Sequence, residues 1–466
     1  MISYKNEGLE TNDTKDEISS FKICYFNLLK DDNLVHIFRF LCLFDRLIFC
    51  SLNRLLFFKI KSRHYYYNLS QKNSEKYITN KEFNKKLNSR VVNKGLQIGV
   101  NIHFFENNIN SSMLDGIHSV SIYRFNFKHI NNIESLGNVK KLTISSGYNL
   151  YDVSMFRNIE TLMLLNCRSI TDVSMLGNIR YLYLRGCKLI TDVSNLGRVH
   201  HLDLAWCDNI TDVSALGDVR ELILANCPKI KDISKLGRHR LLDLGYCTGI
   251  TDVRSLSKVK YLSLDYCENV TDVNMLGNVD SLFLSGCTKI TDIKALSSLR
   301  FLRMPKSEIS DVSALKNIRE LCLSKSKKIS DVSMLGNVHI LDLSECQCIT
   351  DVSMLGGVHT LKLTDCQGIT DVSALGTVYD LDLERCLNIC DVSKLGKVHT
   401  LNLSGCHNIS DVSALGDVYS LNLSFCTGIK NLNGLERVSK LNVNYFKFRP
   451  KIEEIINDSI EDDGDY

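Results

Sequence analysis

Cysteine and aspartate are the residues whose type and spacing could do chemistry in this sequence. Twelve of the eighteen cysteines occupy one fixed place in a repeat between Cys167 and Cys426, and an aspartate occupies another between Asp152 and Asp411. Stacked repeats would bring thiolates together as zinc ligands and carboxylates together as calcium ligands. However, zinc sites use Cys or His paired at short spacing, and the aspartate spacing differs from that of the glycine-rich calcium-binding nonapeptides. We therefore expect the cysteines to pack under a turn, the aspartates to accept backbone N–H groups, and no metal or other cofactor.

A period of twenty residues organises the middle of the chain. Apolar pairs of the form L-x-L begin at Leu142 and recur to Leu302, then resume after a one-residue deletion at Leu321 and continue to Leu441, giving sixteen pairs. The shared unit reads V-x-x-L-x-L-x-x-C-x-x-I-T-D-V-S-x-L-G-x. The alternation predicts a short strand with both leucines on one face. The segment D-V-S-x-L-G predicts one helical turn with an aspartate cap and a left-handed exit at glycine.

One such unit cannot fold alone. About seven apolar side chains do not offset the ordering of a whole unit, so the units must stack and extend a parallel sheet. The unit resembles the cysteine-containing class of leucine-rich repeats, whose signature V/L-x-x-L-x-L-x-x-C-x-x-I-T-D it matches over about two thirds of the chain. The resemblance implies an α/β solenoid over residues 139–446, an arc of about sixteen coils with a parallel concave sheet. Local irregularity is expected near the deletion, where Pro305, Ser307 and Ser326 occur.

Residues 23–62 predict a small helical module. Its apolar positions share one side of two short helices: Leu34, Ile37, Phe38, Leu41 and Leu47. The stretch LKDDNLVHIFRFLCLFDRL, residues 29–47, resembles the F-box pattern L-P-x-E-L-x-x-x-I-F-x-F-L-x-x-x-D-L, although Lys30 replaces the proline and no tryptophan lies near Leu56. The resemblance implies that the five apolar residues bind the F-box-binding adaptor of a cullin-RING ubiquitin ligase. An amphipathic cap that closes the first coil remains the alternative.

The remaining segments are assigned by composition. We expect a disordered N-terminus over 1–22, a linker with irregular first coils over 63–138, and a C-terminal cap with an acidic tail over 447–466. In the irregular coils, the alternating stretches around Ile98 and Ile122 are candidate strands. A formal net charge of +3 gives no reason to expect nucleic acid as a partner. No secretory signal or membrane span is recognisable, and the cysteines favour a reducing compartment, the cytosol or the nucleus.

Aromatic and basic residues cluster at outward positions of the first coils and predict a protein-binding hot spot on the concave face. The candidates for target binding are Tyr181, Tyr183, Arg185, Trp206, Tyr246, Tyr261, Tyr266, Phe283, Phe301 and Arg303. The later coils carry Asp342, Asp365, Asp380, Asp382 and Glu384 instead, so we expect an acidic second half. The histidines that share one column, His200, His339, His359 and His399, are interpreted as a surface row.

The order of the two parts narrows the functional class. An F-box-like module followed by cysteine-type repeats resembles the substrate receptors of SCF-type cullin-RING ubiquitin ligases, similar to those encoded by giant amoebal DNA viruses. That resemblance implies a host-cell location, an unknown target protein as the second partner, and no enzymatic activity in this chain. The alternative is a ligase-independent scaffold or decoy. Binding to the adaptor would distinguish the ligase receptor from this alternative.

Overall fold

The computed structural model describes residues 66–69, much of 74–87, 97–103, 109–110, 117–124, 130–131 and 133–444. The predicted F-box-like module, with Leu34, Ile37, Phe38, Leu41 and Leu47, lies outside the described residues, as does the tail over 447–466. The chain divides into two compact units, Met1–Tyr67 with Lys85–Ile98, and Asn68–Asn84 with Gly99–Tyr466. Nearly all of the described residues belong to the second unit.

Short strands recur along the whole second unit, and most have three residues because the chain turns after the second leucine. The strands are β1 Tyr66–Asn68, β2 Gln97–His103, β3 Ile109–Asn110, β4 Ser119–Tyr123, β5 Ile130–Asn131, β6 Lys141–Ser145, β7 Thr161–Leu165, β8 Tyr181–Tyr183, β9 His201–Asp203, β10 Glu221–Ile223, β11 Leu241–Asp243, β12 Tyr261–Ser263, β13 Ser281–Phe283, β14 Phe301–Arg303, β15 Glu320–Cys322, β16 Ile340–Asp342, β17 Thr360–Lys362, β18 Asp380–Asp382, β19 Thr400–Asn402, β20 Ser420–Asn422 and β21 Lys440–Asn442.

Each coil places its strand beside that of the preceding coil, in parallel and in register. From β6 to β21 the first strand leucine of one coil lies opposite that of the next, as in Leu202 opposite Leu222. The predicted solenoid with one parallel sheet is therefore confirmed for the repeats. Across the deletion Leu302 still lies opposite Leu321, so the register is preserved. The missing residue instead shortens the turn after Ser307, which is the irregularity that the sequence predicts.

The sheet also continues on the N-terminal side of residue 139. Strand β2 pairs in parallel with β4, and β4 with β6, so that Val100 lies opposite Val120 and Val120 opposite Leu142. Val100 is thus the position in β2 that corresponds to the first leucine of the later coils. The sequence alternation around Ile98 suggests a position two residues earlier. A separate two-stranded parallel sheet joins β3 to β5.

The side opposite the sheet is made of 3-10 turns, which are shorter than the helices that an α/β class suggests. They are η1 Ile133–Asn138, η2 Ser154–Phe156, η3 Ser174–Leu176, η4 Ser194–Leu196, η5 Ser214–Leu216, η6 Arg254–Leu256, η7 Asn274–Asn278, η8 Lys294–Ser298, η9 Ser313–Leu315, η10 Ser333–Leu335, η11 Ser353–Gly357, η12 Ser373–Thr377 and η13 Ser413–Leu415. The compact D-V-S-x-L-G segment leaves room for one turn only, as predicted. No helix in the described part of the chain is long and apolar enough to span a bilayer.

The glycine that ends most of the 3-10 turns has a different role from the predicted left-handed exit. Gly177 has φ −64° and Gly197 has φ −62°, both right-handed. A Cβ on Gly197 would instead lie 2.3 Å from the carbonyl oxygen of Ala215 in the next coil. In this coil glycine therefore permits the close approach of the next coil, whereas Arg157, Ser257 and Lys316 occupy the equivalent position elsewhere. The left-handed residue of each coil lies elsewhere, immediately before the cysteine.

A continuous apolar interior runs through the coils. In a representative coil the strand leucines Leu202 and Leu204, together with Cys207, Ile210 and Val213, are all at most 1% exposed. Most coils add the same set, and stacking covers it on both sides by the neighbouring coils. The hydrophobic effect therefore supports the coils mainly through their neighbours, which is typical of solenoids.

Candidate protein-binding face

The three-residue strands determine which side chains reach the outer face of the sheet. In β8 the middle residue, Leu182, is buried, whereas Tyr181 and Tyr183 are partly exposed. The same arrangement places Tyr261, Phe283, Phe301 and Arg303 on this face, as the sequence predicts. Because neighbouring strands lie about 4.8 Å apart, outward side chains of successive coils can contact each other.

A first aromatic cluster lies on β8 and β9. The Tyr183 ring packs against His201 with centroids 4.8 Å apart, and Tyr181 meets His200 edge-on at 6.0 Å. Arg180 lies over the Tyr181 ring at 5.3 Å. His201 is only 3% exposed, and its Nδ1 lies 3.1 Å from Glu221 Oε2. This contact holds the imidazole in place beneath the tyrosines.

A second cluster lies on the coils of β11 to β14. Tyr246 and Tyr266 stack with centroids 4.5 Å apart and planes 13° from parallel, and Phe283 meets Phe301 at 4.9 Å. Phe283 is only 9% exposed, whereas Tyr246 is 46% exposed. The coil of β10 separates the two clusters. The predicted hot spot is thus two aromatic groups on one face rather than one patch.

Four predicted site residues lie outside the strands: Arg185, which follows β8, and three aromatic residues. Trp206, Tyr246 and Tyr266 occupy the turn that leaves the strand, with φ values of 64°, 61° and 58°. The same left-handed position recurs in the other coils with many residue types, among them Asn166, Gly186 and Lys306, although asparagine and glycine suit it best. The interpretation of Trp206, Tyr246 and Tyr266 as outward strand residues was therefore wrong, because the strand ends before them. The conformation belongs to the repeat, so Trp206 and Tyr246 differ from most coils by presenting exposed rings there.

The two predicted arginines of this face lie beside buried carboxylates. Arg185 follows β8, and its charge acts on Asp203, while Arg303 on β14 acts on Asp265. In both aspartates desolvation raises the pKa, and the neighbouring guanidinium opposes that shift. The Arg303 Nε atom is itself buried and has no hydrogen-bond partner among the described residues. These cations therefore reside in a partly dry environment, where a further anion would interact strongly.

Several outward carboxylates and amides serve the backbone. Asp203 and Asp243 accept the N–H groups of Ala205 and Gly245 at 2.9 Å, and Asp342 and Asp382 make the equivalent bond at 3.0 Å. Burial raises the pKa of the Asp243 carboxyl to about 6. The predicted acidic second half is therefore partly structural. In the sequence, such a bond is indicated by an Asp or Asn at the third strand position. The residue two positions later donates its backbone N–H to that side chain.

A ladder of rings lies along the edge of the sheet where the chain enters the strands, and the sequence predicts only its histidines. His339, His359, Tyr379, His399 and Tyr419 pack in sequence with centroids between 4.5 and 4.9 Å. The sequence places the histidines in one column, but the two tyrosines that complete the stack belong to the same column. Tyr379, His399 and Tyr419 stack face to face, so the edges of these rings are more available to a partner than their faces.

The cysteine column has a hydrogen-bonding role besides packing. From Cys187 to Cys426 each ladder thiol donates a hydrogen bond to a backbone carbonyl of the preceding coil. The acceptor is the second leucine of the L-x-L pair, at 3.0 to 3.3 Å. All cysteines in the described part of the chain are free thiols. The thiol is a weak donor, so the bond satisfies a buried carbonyl without placing a strongly polar group in the core.

The aspartate column caps the turn that follows it in each coil, as predicted. In every coil from Asp152 to Asp411 the carboxylate accepts the N–H group two residues later, at 2.8 to 3.1 Å. These bonds lower the pKa of the carboxyls, for example in Asp192 and Asp371. Within the described ranges no group of three or more His, Cys, Asp or Glu side chains is arranged to hold a metal ion.

The chain is similar to one repeat family and to several solved structures. A family model described as Leucine Rich repeat matches residues 199–216. No curated protein matches the chain. Similar solved structures include an internalin, InlF, of Listeria monocytogenes, with 25% identity over 59% of this chain and 88% of that chain and a TM-score of 0.48.

Two further structures are similar. One is a functional domain of InlJ from Listeria monocytogenes that includes a cysteine ladder, with 21% identity, 67% and 74% of the two chains covered, and a TM-score of 0.46. The other is a leucine-rich-repeat protein of Leptospira interrogans, with 17% identity, 78% and 88% covered, and a TM-score of 0.36. The repeating unit, the in-register parallel strands and the matched repeat make the described coils a leucine-rich-repeat solenoid.

Proposed function

We propose that this protein binds a target protein on the outer face of its sheet and presents that target to an SCF-type cullin-RING ubiquitin ligase. The observation that carries the binding role is the set of strained, half-exposed rings: Trp206 is 44% exposed and Tyr246 46% exposed, both in left-handed backbone. Asn or Gly suits this backbone best, and the coils on either side of Trp206 carry Gly186 and Asn226 there.

A protein is the partner that this face fits best. Aromatic rings and arginines supply most of the binding energy at protein interfaces, because they bury large areas at a low entropic cost. The two clusters span the coils of β8 to β14, so a partner that contacts both must cover several coils. A protein surface or an extended peptide has that reach, whereas a small molecule would need one enclosed pocket.

The ligase role rests on the resemblance of residues 29–47 to an F-box. In this proposal Leu34, Ile37, Phe38, Leu41 and Leu47 bind the adaptor, and the solenoid holds the target near the ubiquitin-charged enzyme. Tethering raises the effective concentration of the target at the transfer site, so the chain itself needs no catalytic residue and no cofactor.

Adaptor binding by the full chain tests the ligase role. Immobilised F-box-binding adaptor should retain the full-length protein with a dissociation constant of about 1 μM or tighter, a range typical of specific complexes. Ile37→Asp and Phe38→Asp should each abolish retention, because a carboxylate in an apolar contact is left without a partner. Lys61→Asp, outside the apolar stripe, is the matched control and should bind normally.

The two outcomes separate the candidate functions. Retention that both apolar variants lose supports the substrate receptor. Absence of binding by a protein with normal thermal unfolding would exclude that role and leave a ligase-independent scaffold or decoy. The target-binding role is tested separately by crosslinking mass spectrometry, in which Tyr246→Ala and Tyr261→Ala should lose the crosslinks that the unmodified protein forms.

A further inference from the structure

A strip of cations follows the edge of the sheet where the chain enters the strands. We name this the strand-entry strip, and it comprises Arg180, Arg198, Arg220, Arg238, Arg240, Lys258, Lys260, Arg300 and Arg319. All of these side chains are exposed except Arg240, which is partly exposed. They precede β8, β9, β10, β11, β12, β14 and β15, so the strip borders both aromatic clusters.

Backbone hydrogen bonds hold neighbouring members of the strip side by side. The N–H of Arg240 donates to the carbonyl of Arg220 at 2.9 Å, and that of Arg300 donates to Asp280 at 3.3 Å. The spacing of the cations is therefore that of the strands, about 4.8 Å per coil. From β8 to β15 the strip is roughly 34 Å long, which corresponds to about ten residues of an extended peptide.

These charges are not neutralised by the ion pairs of the described coils. Those pairs join other residues, such as Lys188 to Asp208 and Arg254 to Asp252. The acids within the strip are Asp218 and Asp280. Two more lie at the adjacent strand position, Glu221, which is engaged with His201, and Glu320, which follows Arg319. The strip is thus strongly positive on a chain whose formal net charge is only +3.

We infer that the strand-entry strip binds an acidic, extended segment of the target protein. The inference rests on the proposed protein-binding function and names the chemistry of its partner. Like-signed charges along one edge attract an acidic partner and orient it as it approaches. The partly exposed rings of Tyr181, Tyr261 and Phe301, at the strand position next to the strip, provide apolar contacts for side chains between the acids.

A polypeptide fits the strip better than a uniform polyanion. Asp280 lies between Lys260 and Arg300 in the same column, and Asp218 precedes Arg220. A ligand with a negative charge on every unit would be repelled at both places, whereas a peptide can carry neutral residues there. Beyond Arg319 the column changes to the stacked rings that begin at His339, which limits the acidic stretch to the first half of the face.

Fluorescence anisotropy with the full-length protein tests this inference. The probe is a fluorescein-labelled peptide of four Glu-Glu-Phe units, and a Lys-Lys-Phe peptide of equal length is its control. The acidic peptide should bind, the basic one should not, and binding should weaken as salt rises from ~0.05 to ~0.3 M because screening shortens the range of the charges.

A charge-reversed variant localises the binding. Arg220→Glu, Lys260→Glu and Arg300→Glu, combined, should weaken binding of the acidic peptide by about tenfold or more, since rim charges govern electrostatic association. The matched control combines Lys231→Glu, Lys294→Glu and Lys327→Glu, which change the net charge equally at exposed positions outside the strip. It should weaken binding by about twofold or less. Thermal unfolding of both variants shows whether they are folded.

Several results would overturn the inference. These are no binding of the acidic peptide, equal weakening by both triple variants, or tighter binding of heparin or single-stranded DNA than of a peptide with the same charge. Failure of the proposed function looks different. In that case the peptide would still bind in a strip-dependent manner, but neither target crosslinks nor adaptor retention would be found.

Discussion

Ser307 and Ser326 share a hydrogen bond of 2.9 Å between their hydroxyl oxygens, in the column that holds cysteine in most coils. Both are buried, at 3% and 0% exposure, and Ser326 Oγ also lies 3.2 Å from the backbone N–H of Ser307. A cysteine thiol in this column donates to a carbonyl of the preceding coil. The two serines instead satisfy each other across the coil that lacks one residue.

This pairing predicts strong coupling between the two positions. Ser326→Ala leaves the hydroxyl and the N–H of Ser307 without this partner in the core, so we expect a loss of about 2 kcal/mol in the free energy of unfolding. The double variant Ser307→Ala with Ser326→Ala should lose less than the sum of the single variants, with a coupling energy of about 1 kcal/mol. Urea titrations of the four proteins measure this. Additive losses would show that the pair is not a unit.

Asp243 predicts a dependence of stability on pH. Burial raises the pKa of its carboxyl to about 6, although the N–H of Gly245 donates to it at 2.9 Å. In the unfolded chain an aspartate titrates near ~3.9. The folded state thus binds the proton more tightly, so its contribution to stability is present below pH ~4 and is lost as pH rises through about 6.

Asp243→Asn should therefore stabilise the protein at neutral pH. The amide oxygen can still accept the N–H of Gly245, as Asn402 and Asn422 do for Ser404 and Ser424. The gain should approach roughly 3 kcal/mol at pH 8 and vanish near pH 4. Denaturant titrations at both pH values measure it. Asp342→Asn, at a partly buried position with the same type of bond, is the control and should gain less. A difference that does not vary with pH would contradict this account.

The sequence predicts those features that one coil determines by itself or repeats without change. The strand leucines recur every twenty residues, so the register of Leu202 opposite Leu222 follows from counting. The aspartate caps follow equally, because donor and acceptor are two residues apart in the chain. The cap of Ser194 by Asp192 is an example.

Features that depend on the neighbouring coil escaped prediction. The sequence predicts a left-handed exit at Gly197 because a single unit does not reveal the contact of this glycine with Ala215 of the next coil. Tyr246 was placed on a strand because the sequence does not show where a three-residue strand ends. Its stacking on Tyr266 required both coils in place. The binding face is thus less predictable than the fold that supports it.

The cysteine ladder predicts selective thiol reactivity. Burial raises the pKa of Cys247 and of Cys366 to about 12, and the thiolate is the form that reacts with alkylating agents. At pH 8 iodoacetamide should leave these two cysteines unmodified in the folded protein and should label the exposed Cys348 and Cys390. Peptide mapping by mass spectrometry identifies the sites, and a sample in guanidinium is the control in which all four react. Equal labelling of Cys247 and Cys348 in the folded protein would mean that the coils open readily.

Trp206 tests whether strain at the face serves binding. Its φ of 64° is unfavourable for a bulky residue, by roughly 1 to 2 kcal/mol, whereas the adjacent coil places Asn226 at the same position with φ 60°. Trp206→Asn should therefore raise the free energy of unfolding by up to about 1 kcal/mol, and yet reduce target crosslinking. The reverse change, Asn226→Trp, should lower stability and leave target binding unchanged. If Trp206→Asn instead destabilised the protein and left crosslinking intact, the indole would be a packing element, and the binding face would have to be sought among the strand residues alone.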